Sequence, residues 1–213
     1  RFARCAIEAA GLMLDFSRHR ASAETVAHLM ALARARDLEG WRARMFAGDA
    51  INTTENRAVL HVALRGQGNG RAAIEVRDQA RMVLSRMGKI ARDIRAGAWR
   101  GATGKPITDI LHIGIGGSDF GPRLAVDALK DRGNGPRVHF VANVDPDDFL
   151  DATAACDPES TLVIVISKTF TTIETLTNAE AARAWLAQAL GENLEQHLIA
   201  VSNNVAAAKA FGI

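Results

Sequence analysis

The chain has 213 residues, of which 48% are hydrophobic and 23% are charged, a composition that is typical of a globular protein with one or two domains. Its formal net charge of +2 is spread without a Lys/Arg block and only 5% of residues are aromatic, so the sequence argues against nucleic-acid binding. It contains no stretch of 18 apolar residues and no signal-peptide pattern, so we expect a cytoplasmic protein without membrane contact.

The N-terminal third of the chain is predicted to be a helical segment over residues 1–70. Residues 1 to about 46 have helical apolar spacing, and Ser22 starts a second helix. The first apolar stripe consists of Phe2, Ile7, Leu12, Leu14 and Phe16. Residues 57–65 are too short for their periodicity to decide between a helix and a buried strand, and residues 66–70 form a glycine-rich turn.

The remaining residues, 71–213, are predicted to form one α/β domain. A long amphipathic helix covers residues 74–97, and strands then alternate with helices. The predicted strands are 107–113, 138–143, 162–166 and 197–202, and the helices are 123–130, 147–155, 175–190 and 205–211. This alternation indicates βαβ units and a parallel sheet, in which ligands bind beyond the carboxyl ends of the strands.

A dense polar cluster follows the third predicted strand, at the point where a helix begins. It consists of Ser167, Lys168, Thr169, Thr171 and Thr172. Free backbone N–H groups and the positive end of the helix dipole make such a junction suitable for an anion, and hydroxyl groups beside a lysine fit a phosphate. Ser and Thr are also ordinary N-cap residues, so capping is the alternative explanation.

A glycine-rich loop, Gly114-Ile-Gly-Gly-Ser-Asp-Phe-Gly, follows the first predicted strand. It does not fit a dinucleotide fingerprint, because Asp119 occupies a position that needs a small residue, and it lacks the Gly-Lys-Ser/Thr of a Walker loop. Its glycines can let the backbone approach a ligand, with Ser118 offering a hydroxyl. A tight turn without a ligand is the alternative.

The two loops together resemble the phosphosugar loops of the glucose-6-phosphate isomerase (phosphoglucose isomerase) family. The resemblance is carried by residues 112–122 and 166–179, with further matches at 52–61, 104–109 and 140–145. Asn56 departs from the family, which usually has Gly there, and Phe120 replaces a common Leu.

The resemblance implies a sugar isomerase (SIS-type) domain, a three-layer αβα sandwich with a flavodoxin-like parallel sheet. It implies glucose 6-phosphate or fructose 6-phosphate as the substrate, no metal, no nucleotide or other cofactor, and a homodimer of the full-length enzyme. Carried over by position, Ser167, Lys168, Thr169, Thr171 and Thr172 would hold the phosphate, and Gly117 and Ser118 would line the sugar.

The resemblance also implies that the catalytic base and acid come after residue 213. We therefore expect a part of an isomerase that is inactive by itself, with Glu174 as a structural residue of a helix start. A phosphosugar-binding regulatory module of the same fold is the alternative. The matches at residues 52–61 and the lack of a visible DNA-binding motif favour the enzyme.

Overall fold

The computed structural model describes residues 5–68 and 70–213, so the predictions for Phe2 and Asn69 lie outside the described residues. The chain divides into two units, one ending at Leu84 and the other comprising Ser85–Ile213. The division falls inside a helix, and the domain boundary predicted near residue 70 stays a prediction. Among the described residues, no helix has the length and apolar character needed to cross a membrane.

The first element described in the first unit is an antiparallel hairpin where the sequence predicted a helix, so that prediction is wrong for these residues. The strands are β1 (Ala6–Ala9) and β2 (Leu12–Asp15). Ala10 and Gly11 form the turn with φ values of 53° and 75°, which a right-handed helix does not contain. Ile7 pairs with Leu14, so apolar residues assigned to a helical stripe instead follow the two-residue period of strands.

Helices follow the hairpin, as the sequence predicted. They are α1 (Ala23–Ala35), α2 (Leu38–Ala47), a 3₁₀ helix (His61–Arg65) and α3 (Arg71–Arg95), the last of which extends into the second unit. Ser22 caps α1 by accepting a hydrogen bond from the backbone N–H of Thr25, and the Oγ1 of Thr25 in turn accepts one from the backbone N–H of Ser22. The undecided residues 57–65 thus end in a 3₁₀ helix rather than a strand.

The second unit is built on a parallel sheet, and the predicted strands are confirmed with small differences at their ends. They are β3 (Asp109–Ile113), β4 (Arg137–Val141), β5 (Thr161–Ile166) and β6 (Leu198–Val201). The strand order is β4-β3-β5-β6, with every neighbouring pair parallel. This is the start of the flavodoxin-like order that the resemblance implied.

The sheet carries helices on both faces, which confirms the three-layer architecture. The helices are α4 (Gly117–Leu129), α5 (Pro146–Thr153), α6 (Ile173–Leu190) and α7 (Val205–Phe211). One difference matters for the site: α4 begins at Gly117 and not at residue 123, so the glycine loop is shorter than predicted. Pro122, which precedes the predicted start at residue 123, lies inside the helix.

The core of this unit has two parts, one on each face of the sheet. On one face, β3, β4, β5 and β6 pack against α5, α6 and α7, with Leu111, Val163 and Leu186 fully buried. On the other, Leu162 packs against Ile94 at the end of α3. Leu162, Val163 and Val165 are buried, so β5 is a central strand covered on both faces, as its unbroken apolar run predicted.

Candidate functional site

The two sequence-predicted loops meet at the carboxyl edge of the sheet. The strands β3 and β5 are neighbours in the sheet. The chain leaves β3 towards β4 on one side and leaves β5 towards β6 on the other, so the two connections diverge. This is a topological switch point, where open α/β sheets bind ligands. Gly114 shows how close the loops are, because a Cβ built on it would lie 3.2 Å from the carbonyl oxygen of Ile166.

The predicted sugar-side residues lie in the first turn of α4. Gly116 precedes this turn with φ 55° and ψ −121°, a conformation that favours glycine, and it provides no side-chain cap. Gly117 is exposed and Ser118 is half-buried. The backbone N–H groups at the start of α4 are therefore not covered by a capping side chain.

The predicted phosphate residues form a compact loop after β5, from Ser167 to Thr172. Ser167 is buried, and its Oγ accepts a hydrogen bond from the N–H of Phe170 at 3.1 Å. Further along, the hydroxyls of Thr169 and Thr171 lie 2.7 Å apart. Lys168 and Thr169 are exposed, so the lysine and the hydroxyl pair are accessible to a solute.

Capping of α6 does not use these hydroxyls. Thr172 is the N-cap residue of α6, and it makes no side-chain capping hydrogen bond. Its Oγ1 instead lies 3.4 Å from the Oγ of Ser167. The first turn of an 18-residue helix thus faces the loop without a side-chain acceptor on its N–H groups.

A buried histidine supports α4 from beneath. His112 stacks on Phe140, with ring centroids 4.9 Å apart, and its Nε2 donates to the carbonyl oxygen of Ser118 at 2.8 Å. Burial lowers the pKa of His112, against the opposing effect of the Ser118 carbonyl. Asp119 is buried beside it and is held by Arg123, whose guanidinium lies over the Phe140 ring.

The loop has a second set of partners, which the sequence analysis did not identify. Ser202, Asn203 and Asn204 follow β6, and they donate hydrogen bonds to the carbonyl oxygens of Lys168 and Thr169. Their position in the sequence could have identified them. Like the two predicted loops, the Ser-Asn-Asn run consists of polar residues directly after a strand of the parallel sheet. Asn178 was also missed; it is buried on α6 and donates to the carbonyl of Asn143 at 2.8 Å.

One group of side chains in the described part of the chain has metal-ligand character, and it lies at the opposite edge of the sheet. Ligand atoms of Asp109, His139 and Cys156 lie within 4.8 Å of one another. Both oxygens of Asp109 are already bonded to Arg137, and His139 donates to one of them at 2.8 Å. Burial also raises the pKa of the Cys156 thiol, which disfavours the thiolate that a metal would need.

Comparison with known proteins shows the family to which the chain belongs. The sequence model of the family described as Phosphoglucose isomerase matches residues 15–213. The chain belongs to this family. A glucose-6-phosphate isomerase of Cupriavidus taiwanensis is 49% identical over the whole chain, and one of Brucella anthropi is 50% identical.

A solved structure of a phosphoglucose isomerase shows the same fold. The glucose-6-phosphate isomerase of Chlamydia trachomatis superposes with a TM-score of 0.78 and 26% identity, covering 96% of this chain and 40% of that chain. The chain likewise spans 41% of the Cupriavidus protein and 40% of the Brucella protein. It therefore corresponds to about two fifths of the length of its phosphoglucose isomerase relatives.

Proposed function

We propose that the chain supplies the phosphate-binding part of an enzyme that interconverts glucose 6-phosphate and fructose 6-phosphate. The observation that carries the proposal is the meeting of the Ser167–Thr172 loop and the Gly114–Ser118 turn at the switch point of the sheet. In a member of the phosphoglucose isomerase family, this is where a phosphosugar is expected to bind.

In this proposal, the loop after β5 binds the phosphate. Its residues are Ser167, Lys168, Thr169, Thr171 and Thr172. The hydroxyls of Thr169 and Thr171 offer donors, the exposed Lys168 offers charge, and the N-terminal turn of α6 offers N–H groups that no side chain caps. Gly117 and Ser118 then line the sugar, because the start of α4 faces the same crevice.

The isomerisation itself moves a proton between C1 and C2 of the open-chain sugar through an enediol(ate). It needs a carboxylate-type base, an acid/base group for ring opening and a cation near the developing oxyanion. The residues of this chain are proposed to bind and orient the substrate, and none of them is assigned as the base. The same proposal makes the full-length enzyme a cytoplasmic homodimer that binds no nucleic acid. The matched relatives are named isomerases, which does not favour the regulatory-module alternative.

A titration of the 213-residue chain tests the phosphate site. Glucose 6-phosphate is expected to bind with a dissociation constant on the order of millimolar, because the phosphate donors come from one local loop. Inorganic phosphate should compete with it, and glucose should bind at least tenfold more weakly. Equal affinity for glucose and glucose 6-phosphate would remove the phosphate loop from the proposal.

A further inference from the structure

We propose that Asn204 is a positioning residue that holds the phosphate loop in its anion-binding conformation. The inference rests on the proposed function, since it assumes that the Ser167–Thr172 loop binds phosphate. Asn204 lies after β6, outside that loop, and it reaches the loop backbone through its side chain. Its effect on a ligand would therefore be exerted through the loop.

The backbone oxygens of the loop are held by the segment that follows β6. The carbonyl oxygen of Lys168 accepts from the N–H of Asn203 at 3.1 Å and from the Oγ of Ser202 at 3.2 Å. The carbonyl oxygen of Thr169 accepts from the Nδ2 of Asn204 at 3.0 Å. Two consecutive carbonyl groups are thus directed towards residues 202–204.

The direction of these carbonyls decides whether backbone N–H groups or carbonyl oxygens face a bound phosphate. In a trans peptide the N–H points opposite to the C=O, so fixing the Lys168 carbonyl also fixes the N–H of Thr169 on the other side of the loop. Fixing the Thr169 carbonyl fixes the N–H of Phe170, which donates to Ser167. A rotated peptide would instead present a carbonyl oxygen to the anion and repel it.

The loop needs this support because its backbone is strained. Phe170 has φ 54°, a left-handed conformation that is unfavourable for a residue with a Cβ and that persists only where the surroundings enforce it. Its ring is buried and contacts the ring of Phe211 edge-on, with centroids 5.7 Å apart. Phe211 is the last residue of α7, and Asn204 is the N-cap of the same helix. The two ends of α7 therefore hold adjacent residues of the loop.

The two functions of the Asn204 amide can be separated by substitution. Its Oδ1 accepts from the N–H of Ala207 and caps α7, while its Nδ2 donates to the loop. Asn204→Ser keeps a good N-cap acceptor but removes the donor, and it adds no charge near the phosphate. Asn204→Ala removes both. Ser22→Ala is the matched control, because it removes the cap of a different helix, α1 in the first unit.

The experiment titrates the 213-residue chain and its variants with glucose 6-phosphate and with inorganic phosphate, and follows amide exchange at Thr169 and Phe170. Asn204→Ser is expected to weaken both ligands by about threefold to tenfold and to speed exchange of the Phe170 amide. Its melting temperature should fall no more than that of Ser22→Ala, which should bind both ligands like the wild type. Ser202→Ala removes one donor to the Lys168 carbonyl and also the hydroxyl that accepts from the N–H of Asn204 at 3.0 Å. It should weaken binding in the same direction if Asn204→Ser fails to fold.

The outcomes separate this inference from the proposed function. If the wild-type chain binds neither ligand, the phosphate site itself is wrong, and the positioning role is overturned with it. If the wild type binds but Asn204→Ser binds equally well, with unchanged amide exchange, the positioning role alone is overturned. Where Asn204→Ser does not fold, the same result for Ser202→Ala overturns it. Weakened binding in Ser22→Ala of the same size would also overturn it, because the effect would then follow from cap loss in general.

Discussion

His112 donates a hydrogen bond from Nε2 to the carbonyl oxygen of Ser118, an oxygen that Pro122 leaves without its helical partner. In an α-helix the Ser118 carbonyl would accept from the N–H four residues later, but Pro122 has no N–H. The buried imidazole takes that place at 2.8 Å and so ties the first turn of α4 to β3. The carbonyl can only accept, which fixes the proton of the neutral ring on Nε2.

This contact predicts that His112 makes stability depend on pH. Burial lowers the pKa of His112 in the folded chain, so below the unfolded value of about 6.5 the unfolded state binds more protons. The free energy of unfolding should therefore fall as the pH drops through 6.5. His112→Gln keeps a donor near the Nε2 position and cannot titrate, so its stability should fall less steeply than that of the wild type. Urea denaturation between pH 5 and 8 measures the difference.

The pH test needs a control for general effects of losing an imidazole. His28→Gln is the matched control, because it removes an exposed histidine of α1 and keeps the hydrogen bond from His112 to Ser118. The charged neighbours of His112 are Asp119 and Arg123, which act in opposite directions on its pKa. An identical slope for His112→Gln and the wild type would show that His112 does not contribute to it.

The close packing around Gly114 predicts that one added methyl group will disturb the crevice between the two loops. A Cβ at this position would lie 3.0 Å from the carbonyl oxygen of Ser118 and 3.2 Å from that of Ile166, both backbone atoms that cannot rotate away. Gly114→Ala should therefore push the two loops apart and cost about 1–3 kcal/mol of stability. It should also weaken glucose 6-phosphate binding. Thermal denaturation and titration of the same variant measure both effects.

Gly133→Ala is the matched control for Gly114→Ala. Gly133 has φ −98°, which any residue adopts, and a Cβ there would make an ordinary contact at 3.8 Å with the carbonyl oxygen of Leu129. This variant should change stability by about 0.5 kcal/mol or less and should bind glucose 6-phosphate like the wild type. Similar losses in both variants would contradict the steric explanation.

The buried carboxylate of Asp109, at the opposite edge of the sheet, predicts a second dependence of stability on pH. Burial raises the pKa of its carboxyl, but hydrogen bonds from Arg137, His139 and Thr108 outweigh that effect and lower the pKa overall. The stabilisation by the carboxylate is therefore fully present above the unfolded value of about 3.9 and is lost as the pH falls through the folded value. Asp109→Asn should cost about 2 kcal/mol at pH 7.

The pH profile distinguishes this explanation from a simple packing defect. Below the unfolded value of about 3.9 the carboxyl of the unfolded chain takes up a proton before that of the folded chain, so the stability difference between wild type and Asp109→Asn should shrink as the pH falls. Urea denaturation from pH 7 down to pH 3 follows this difference. A gap that stays constant over the whole range would assign the loss to packing, independent of charge.

The parallel sheet was predictable because its signals are local. The unbroken apolar run before Ile166 and the Asp145-Pro start of α5 each specify an element from a few consecutive residues, and both are borne out. Asn56, where the family usually has Gly, has φ 48° in the structure. Asparagine tolerates this left-handed conformation, so the departure from the family is compatible with the same backbone.

The features that the sequence did not predict depend on contacts between distant residues or on unusual backbone. Ala10 adopts a positive φ in the hairpin turn, which its residue type does not signal. Helix α4 was predicted to start after Pro122, and the hydrogen bond from His112 to the Ser118 carbonyl shows how the helix accommodates this proline. Asn204 meets Thr169 across 35 positions of sequence, so no local pattern could place it at the loop.

Thr169→Val tests whether the phosphate loop contributes to catalysis in the active isomerase. The substitution keeps the shape and β-branching but removes a hydroxyl that lies exposed, 2.7 Å from that of Thr171. A lost hydrogen bond to a charged group costs about 1.5–3 kcal/mol, so kcat/KM should fall about tenfold to hundredfold. Phosphate contacts are similar in the ground and transition states, so most of the loss should appear as a higher KM.

The competing explanation for Thr169 is that it caps the helix that follows, and the structure gives that explanation a specific test. The N-cap of α6 is Thr172, so removing the Thr169 hydroxyl should leave the melting temperature close to that of the wild type. Loss of a cap would instead cost about 1 kcal/mol of stability and leave KM unchanged. Steady-state kinetics and thermal denaturation of the same variant separate the two. A lower melting temperature with an unchanged KM would remove Thr169 from the phosphate site, whereas a higher KM with an unchanged melting temperature would place its hydroxyl against the substrate.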